Sequence, residues 1–306
     1  MNKDLILTYA RAMRVNQWIK NLVVFTAIIF SGKLFDITLI VQSLYAFFVF
    51  CLLSSTSYLL NDIIDYHYDR KHPVKKNRPI ASGKISIPNA TFLVFILTLI
   101  SLIISLLFSV SFFLLALLFI LLHFFYSLYL KKHPVIDIFT ISFSFMIRMF
   151  GGEVVTGFHI PSWLLLTIFF ISLFMATIKR HAELVSQGHG TRESLLSYKE
   201  HFLDFLTVTF ATATIIAYAT YTYVEKPPAT TTPLSEFVRT ISPDFEAKKW
   251  MMLTIPCVVY GIARYAQLLY EKEQGERPEK IITTDGPLIA TIFLWAAIVI
   301  GLIYIF

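Results

Sequence analysis

The amino-acid sequence predicts an all-α, polytopic membrane protein. Apolar residues fill 56% of the 306 positions and charged residues only 15%, whereas about 25% of the residues in a soluble domain are charged. Continuous apolar runs of about 20 residues, the length that crosses a bilayer as a helix, recur along the whole chain. They lack the alternating pattern of membrane β-barrel strands. We therefore predict about nine transmembrane helices in a single domain over residues 1–306.

The predicted spans follow one another through polar connections. Their approximate limits are 19–35, 37–60, 89–109, 111–130, 135–157, 162–181, 203–224, 250–270 and 286–306. The first span is the weakest, because it is short and polar at its start. Residues 1–21 carry charges throughout, and no small-residue cleavage site follows the first apolar run, so we expect no cleavable signal.

The distribution of basic residues predicts the orientation in the membrane. If the N-terminus lies inside, the inside segments carry 20 of the 26 Lys and Arg residues and the outside loops carry five. Basic residues are enriched in cytoplasmic loops. We therefore expect an inner or plasma membrane protein whose N-terminus and catalytic loops, near 61–88 and 179–202, face the cytoplasm. One longer outside loop is expected near 225–249.

The end of the second predicted span carries a carboxylate-rich face. At helical spacing Asn61, Asp65 and Asp69 lie one turn apart, and Tyr58 and Asp62 adjoin them. Carboxylates stacked in this way repel one another, and a divalent cation relieves the repulsion. Mg²⁺ is usually held by one or two carboxylates together with substrate phosphates. We therefore predict a Mg²⁺ site with Asn61, Asp65 and Asp69 as ligands.

A basic loop follows directly on this face. Its cations are Arg70, Lys71, Lys75, Lys76, Arg78 and Lys84. A basic loop alone is typical of the cytoplasmic surface of a membrane protein. Beside metal ligands, however, Lys and Arg make a site for a substrate with several phosphates. Lys75 and Arg78 are accordingly candidates for substrate binding, with Tyr58 beside them.

The motif Asn61-Asp62-x-x-Asp65-x-x-x-Asp69 resembles the first Asp-rich motif of the UbiA superfamily of intramembrane prenyltransferases, which are nine-helix enzymes. Other segments resemble one branch, the decaprenyl-phosphate phosphoribosyltransferases: DRKHPVKKNRPIASGKIS, RVNQWIKNLVVF, YSLYLKKHPVIDIF, FMIRMFGGEVVTG, SLFMATIKRHAEL and RPEKI. The resemblance covers nearly the whole chain except 225–249. It implies a UbiA-like helical bundle with three catalytic carboxylates, those of Asp62, Asp65 and Asp69. The implied substrates are phosphoribosyl diphosphate and a polyprenyl phosphate.

The sequence departs from the superfamily pattern after the sixth span. Typical members carry a second Asp-rich motif there, which helps to bind a second Mg²⁺ on a prenyl diphosphate. Here the segment reads Lys179-Arg180-His181-Ala182-Glu183. Two cations and one carboxylate make a poor metal site but a good phosphate-binding surface. The segment therefore favours a sugar diphosphate and a lipid monophosphate as the two substrates. It leaves the number of bound metal ions open.

Three further polar residues are candidates for substrate binding. Lys20 either extends to the membrane interface or binds phosphate, and Lys131 either flanks an aromatic belt or lines the site. Arg148 lies within the fifth predicted span, where a charge indicates function. The alternative for Arg148 is a structural ion pair with Glu153 or with another helix. We expect five histidines to be solvated: His67, His72, His133, His181 and His189.

The sequence is compatible with two other functions. An ordinary UbiA-type prenyltransferase would join a prenyl diphosphate to an aromatic or lipid acceptor, but the altered second motif argues against it. A transporter of a phosphorylated solute is disfavoured, because the sequence has no visible inverted repeat and no pair of broken half-helices. We expect the membrane to be a partner and nucleic acid not to be one, and the sequence leaves room for an oligomer.

Overall fold

The computed structural model describes residues 3–72, 74–187, 198–225, 236, 240, 250–272 and 284–305. Within these ranges every regular element is a helix. The α-helices are α1 Lys3–Ala12, α2 Thr26–Phe30, α3 Ile37–Ile64, α4 Tyr66–Lys71, α5 Ile87–Phe108, α6 Val110–Leu128, α7 Ile136–Thr156, α8 Ser162–Gln187, α9 Glu200–Val224, α10 Ile255–Lys272 and α11 Gly286–Tyr304. Short 3₁₀ segments are Val15–Phe25, Lys75–Asn77, Leu130–Lys132 and Met252–Thr254.

Seven helices in the described ranges are long and apolar enough to cross a membrane: α3, α5, α6, α7, α8, α9 and α11. The all-α, multi-pass class is therefore confirmed, but the count of nine is not. The first predicted span is the shorter apolar segment Val15–Phe30. The eighth, α10, carries three charged residues in its 18 positions, Arg264, Glu271 and Lys272. The outside loop near 225–249 and the RPEKI segment fall almost wholly outside the described residues.

The chain forms two compact units. The first comprises Met1–Phe25 and Val41–Gly157, and the second comprises Thr26–Ile40 and Phe158–Phe306. In the first unit, α5, α6 and α7 pack in sequence order, and the 3₁₀ segment Val15–Phe25 packs on α7. In the second unit α8 pairs with α9, and α10 pairs with α11.

Two adjacent glycines permit the close approach of α7 to its neighbours in the first unit. A Cβ added at Gly152 would lie 1.9 Å from the backbone oxygen of Val24, and one added at Gly151 would lie 2.3 Å from the Phe50 ring. No side chain larger than hydrogen fits there without a shift of backbone or ring. The glycines thus fix the position of the 3₁₀ segment that carries Lys20 and Asn21.

The second unit contains a partly open, apolar cavity of about 340 Å³. Its walls include Phe30, Phe174, Gly261 and Trp295. The indole Nε1 of Trp295 donates a 2.7 Å hydrogen bond to the hydroxyl of Tyr218, which also lines the cavity. The indole of Trp295 and the hydroxyl of Tyr218 are thus partners of each other, and the predominantly apolar lining suits a hydrocarbon ligand.

Candidate active site

The carboxylate-rich face lies where α3 ends. The helix stops at Ile64, and Asp65 has φ −85° and ψ 4° before α4 begins at Tyr66. Helical hydrogen bonds continue on both sides of this break, because the Asp65 N–H donates to the oxygen of Asn61 at 2.9 Å and the Asp69 N–H donates to that of Asp65 at 2.8 Å. Asn61, Asp65 and Asp69 are therefore still linked by backbone hydrogen bonds of one helical turn each, although the helix itself is interrupted.

Asn61 and Asp65 converge on a lysine from a distant part of the chain. The Lys131 ammonium donates to Asp65 Oδ1 at 2.5 Å and to Asn61 Oδ1 at 3.2 Å. The Asn61 amide also donates to Asp65 Oδ2 at 3.0 Å. Lys131 is only 8% exposed, so its charge needs this carboxylate. The sequence-based candidate Lys131 thus lies at the site.

Asp62 and Asp69 share a second cation. Nη1 of Arg78 donates to Asp62 Oδ1 at 3.0 Å and to Asp69 Oδ2 at 2.6 Å. Asp62 also accepts a 2.6 Å bond from Arg14, whose guanidinium lies 4.8 Å from the centre of the Tyr58 ring. The four acidic or amide side chains of the motif are therefore divided between two cation positions.

Burial opposes the ionised form of Asp69, although the Arg14 and Arg78 guanidinium groups together balance the charges of Asp62 and Asp69. Both Asp62 and Asp69 are 3% exposed. Burial raises the pKa of Asp69 above its ordinary value; the Arg78 guanidinium opposes this shift and the Asp62 carboxylate adds to it. A further cation near this pair would favour the ionised form of Asp69.

The side-chain oxygens of this face suit a Mg²⁺ ion whose other ligands are substrate phosphates and water. In the described part of the chain no group of three or more His, Cys, Asp or Glu side chains is arranged to hold a metal ion. Nevertheless, one oxygen each of Asn61 and Asp65 accepts a hydrogen bond from the Lys131 ammonium. One oxygen each of Asp62 and Asp69 accepts a hydrogen bond from Nη1 of Arg78. Such a pair of oxygens is what Mg²⁺ takes from a protein when phosphates and water complete its shell.

A buried guanidinium lies deeper in the first unit. Arg148 is 3% exposed, and its Nε donates to Asn21 Oδ1 at 2.6 Å, while its Nη1 donates to the oxygen and hydroxyl of Ser144 at 2.9 Å. A weaker 3.4 Å bond goes to the Ser54 hydroxyl. Within the described residues its hydrogen-bond partners are thus all neutral, and the alternative of an ion pair with Glu153 is not observed.

Lys20 lies on the same 3₁₀ segment as Asn21. Its ammonium donates to Gln17 Oε1 at 3.0 Å, and the neighbouring Trp18 indole donates to the Ser55 hydroxyl of α3 at 3.0 Å. The QW-x-KN stretch is therefore joined to α3 by Trp18 and to Arg148 by Asn21. These contacts hold Lys20 in the unit that carries the carboxylate-rich face.

Backbone strain occurs next to the Lys131 turn. Val135 has φ 68° and ψ −46°, and the Ile136 N–H donates to the oxygen of Pro134 at 2.8 Å. This is a γ-turn with positive φ, which is rare and strained, and a β-branched residue adopts such a φ only at a cost. The strain redirects the chain from the turn that holds Lys131 into α7, which carries Arg148.

The second unit contains the other predicted phosphate ligands. Arg180 is 1% exposed, and its Nη1 lies 2.7 Å from Oε2 of Glu183, whereas Lys179 is half-buried. His181 is buried, with Nε2 3.4 Å from Asp204. The expectation that His181 is solvated is therefore wrong, because the helix end on which it lies packs against α9. Phosphate binding by Lys179 and Arg180 remains a prediction.

Two residues of the site were missed in the sequence. Arg14 begins the RVNQWIKNLVVF segment, and nothing in its spacing along the chain links it to Asp62. His72 was expected to be solvated, yet its Nδ1 accepts two backbone hydrogen bonds and its Nε2 is buried. That expectation is wrong for His72, since the imidazole forms part of the loop structure.

A helical membrane bundle that holds an Asn-Asp-x-x-Asp-x-x-x-Asp segment among Arg and Lys side chains defines a class of intramembrane transferases. The model of the UbiA prenyltransferase family matches residues 22–185. The chain belongs to the UbiA prenyltransferase family.

Relatives and solved structures agree with this assignment. A protein named decaprenyl-phosphate phosphoribosyltransferase from Mycolicibacterium smegmatis is 33% identical over 99% of this chain and 94% of its own length. One of the same name from Corynebacterium glutamicum is 31% identical over 99% of this chain and 89% of its own. A UbiA homolog from Archaeoglobus fulgidus, solved with DMAPP and Mg²⁺, covers 97% of this chain and 99% of its own with a TM-score of 0.69. At 17% identity it supports the fold alone.

Proposed function

We propose that this protein transfers 5-phosphoribose from phosphoribosyl diphosphate to a polyprenyl monophosphate of the decaprenyl type, releasing diphosphate, for the synthesis of a cell-envelope precursor. The observation that carries the proposal is the similarity over 99% of the chain to relatives named decaprenyl-phosphate phosphoribosyltransferase. The Lys179-Arg180 segment supports it, because cations in place of a second Asp-rich motif suit phosphate groups that do not need a second metal ion.

The carboxylate-rich face would bind the donor. We assign Asn61, Asp65 and Asp69 as the residues that hold Mg²⁺, which when bound supplies positive charge to the leaving diphosphate. Asp62 would keep Arg78 and Arg14 in place beside them. Arg78 and Lys131 can turn from carboxylate to phosphate oxygens, since a cation that donates hydrogen bonds to a carboxylate can donate them equally to a phosphate.

The transfer itself needs no general base. A lipid phosphate oxygen, already anionic, attacks the anomeric carbon of the ribose, and the bond from that carbon to the diphosphate oxygen breaks. Attack from the face opposite to the leaving group inverts the configuration. The contribution of the protein is to hold both phosphates in line and to stabilise the charge that develops on the diphosphate.

The acceptor would be held by residues nearer the membrane interior. Lys20 and Arg148 are the proposed partners of phosphate groups at that depth, because the neutral partners of Arg148 leave its charge uncompensated and a buried charge without a counter-ion favours an anionic ligand. The apolar cavity of the second unit is proposed to receive part of the polyprenyl chain.

The cellular setting is part of the proposal. The positive-inside pattern supports a cytoplasmic N-terminus and active site in the cell membrane, which is the side that a soluble phosphoribosyl diphosphate would reach. We further propose that residues 1–306 act as one transferase domain, without nucleic acid as a partner.

The alternative is an ordinary prenyltransferase with a prenyl diphosphate donor and an aromatic or lipid acceptor, which family membership supports only in general terms. The test is to incubate the purified protein with labelled phosphoribosyl diphosphate and polyprenyl phosphates, with and without Mg²⁺. A second assay supplies a prenyl diphosphate and an aromatic acid. Mg²⁺-dependent formation of a labelled lipid in the first assay supports the proposal, and turnover only in the second overturns it.

A further inference from the structure

His72 lies in the basic loop between α4 and the 3₁₀ turn Lys75–Asn77. Its Nδ1 accepts hydrogen bonds from the backbone N–H groups of Val74 and Lys75, both at 3.2 Å. Val74, the residue that precedes the turn, makes no side-chain cap of its own. The first N–H groups of a helical turn have no partner within it, so the imidazole of His72 acts as the cap.

The two accepted bonds indicate the tautomer of the neutral imidazole. A ring nitrogen that accepts hydrogen bonds carries no proton, so the proton of neutral His72 lies on Nε2. Nε2 is buried and, in the part of the chain that the structure describes, has no hydrogen-bond partner. In the described residues the hydrogen bonds of the imidazole are therefore the two that Nδ1 accepts from the backbone of the turn, which is the contact of a cap.

The cap is joined directly to the carboxylate-rich face. The backbone N–H of His72 donates to the oxygen of Asp69 at 3.2 Å, and the turn ends at Arg78, whose N–H donates to the oxygen of Lys75 at 3.0 Å. Arg78 then returns to Asp69 with a 2.6 Å ion pair. His72 therefore stands between a predicted metal ligand and the cations that follow it.

We propose that His72 is a positioning residue: its imidazole caps the turn 75–77 and so holds Lys75 and Arg78 at the carboxylate-rich face, where they meet the phosphates of the donor substrate. The identity of the donor rests on the function proposed above. The capping role rests only on the contacts of the loop. His72 touches no reacting atom in this scheme.

Three variants separate capping from simple packing. The amide oxygen of His72→Asn can occupy the place of Nδ1, whereas that of His72→Gln reaches only as far as Nε2, and His72→Ala removes the acceptor. We expect His72→Asn to stay within about threefold of wild type in kcat/KM for the donor. The other two should lose about five- to tenfold, the factor that one lost cap carries. The loss should appear in KM for the donor and not in KM for the lipid.

A second measurement does not depend on turnover. Trypsin should cleave after Lys75 and Lys76 faster in detergent-solubilised His72→Gln and His72→Ala than in wild type or His72→Asn. Equal cleavage and equal kinetics for the Asn and Gln variants would overturn the capping role, as would an equal fall in the thermal midpoint of all three. If wild type turns over no phosphoribosyl diphosphate, the proposed function fails, and the cleavage pattern still decides the role of His72.

Discussion

The ammonium of Lys131 lies 2.5 Å from Oδ1 of Asp65, although 66 residues separate them in the chain. Lys131 is nearly buried and Asp65 is partly exposed. Removing the carboxylate alone therefore leaves a buried cation without its counter-ion, while removing both leaves a neutral site. This relationship separates the structural role of Asp65 from its catalytic one.

We predict that Asp65→Ala abolishes turnover and lowers the free energy of unfolding by ~1–3 kcal/mol, because Lys131 loses its partner. The double variant Asp65→Ala with Lys131→Met should recover most of that stability and none of the activity. The thermal midpoint and the labelled-lipid assay measure the two effects on the same preparations. Appreciable activity in either variant would show that Asp65 does not serve the metal or the substrate.

Arg78 provides a test of the metal site that needs no turnover. Because its guanidinium lies between Asp62 and Asp69, Arg78→Gln leaves these carboxylates without that positive charge. We expect the variant to bind Mn²⁺, used as a probe for Mg²⁺, several-fold more tightly than wild type in the absence of substrate. Its turnover should fall, since the same cation is needed for phosphate.

Electron paramagnetic resonance of free Mn²⁺ measures this binding, and Lys84→Gln, which removes an exposed cation of the same loop, is the matched control. Weaker Mn²⁺ binding in Arg78→Gln than in Lys84→Gln would contradict the assignment of the face as a cation site. So would full activity of the wild type after exhaustive treatment with EDTA.

Much of this arrangement follows from the sequence, and the reason is local periodicity. Apolar runs of about 20 residues determine the spans, and a spacing of four residues places Asn61, Asp65 and Asp69 on one face even though the helix breaks at Asp65. Both features depend only on near neighbours in the chain. The tertiary fold then divides the face, because Asn61 and Asp65 contact Lys131 while Asp69 shares Arg78 with Asp62.

The partners of the carboxylates do not follow from the sequence. Arg14 and Lys131 reach the motif from 48 residues before Asp62 and 66 after Asp65, and no periodicity encodes such a pairing. The repulsion among the stacked carboxylates is therefore relieved in part by three cations, Arg14, Arg78 and Lys131, and does not by itself require a divalent cation.

Replacing Arg148 should lower activity without lowering thermal stability. Its guanidinium is buried in a membrane-spanning helix with neutral partners, and an apolar side chain of similar size often costs nothing at such a position. We expect Arg148→Met to unfold at the wild-type temperature or above and to lose at least tenfold in kcat/KM for the lipid phosphate. Arg148→Lys should also be impaired, since an ammonium cannot make the forked contacts to Asn21 and Ser144. Unchanged lipid kinetics in Arg148→Met would exclude it from the acceptor site.

The cavity of the second unit offers a test of lipid binding. Gly261 lines it, and a Cβ added there would meet nothing nearer than Leu288 at 4.0 Å, so a larger side chain extends into the open space. We predict that Gly261→Leu folds normally, raises KM for long polyprenyl phosphates more than for short ones, and leaves KM for the donor unchanged. Gly301→Leu, at a glycine that likewise meets no close neighbour, is the control. Equal effects of the two variants on KM for polyprenyl phosphates would show that the cavity does not bind the lipid.

The segment Lys179-Arg180-His181-Ala182-Glu183 decides between the two enzymatic hypotheses. A prenyl diphosphate donor needs metal ligands on both sides of its diphosphate, whereas cations hold a phosphate directly through charge-assisted hydrogen bonds. Because Arg180 is buried against Glu183, Arg180→Ala tests the fold as much as the site, and Lys179→Ala is the cleaner variant. We predict that Lys179→Ala raises KM for a phosphorylated substrate or lowers kcat by about tenfold, without a change in thermal midpoint.

Restoring an Asp-x-x-x-Asp pattern with Lys179→Asp and Glu183→Asp should therefore damage the phosphoribosyl transfer rather than improve it. Replacing Lys179 puts a negative charge where a phosphate is expected, and shortening Glu183 weakens the ion pair with Arg180. Wild type, Lys179→Ala and the double variant are compared in both assays, with phosphoribosyl diphosphate plus polyprenyl phosphate and with a prenyl diphosphate plus an aromatic acid. A double variant that gains activity in the second assay while wild type has none would show that this segment selects the donor. A double variant that matches wild type in the first assay would remove Lys179 and Glu183 from the site.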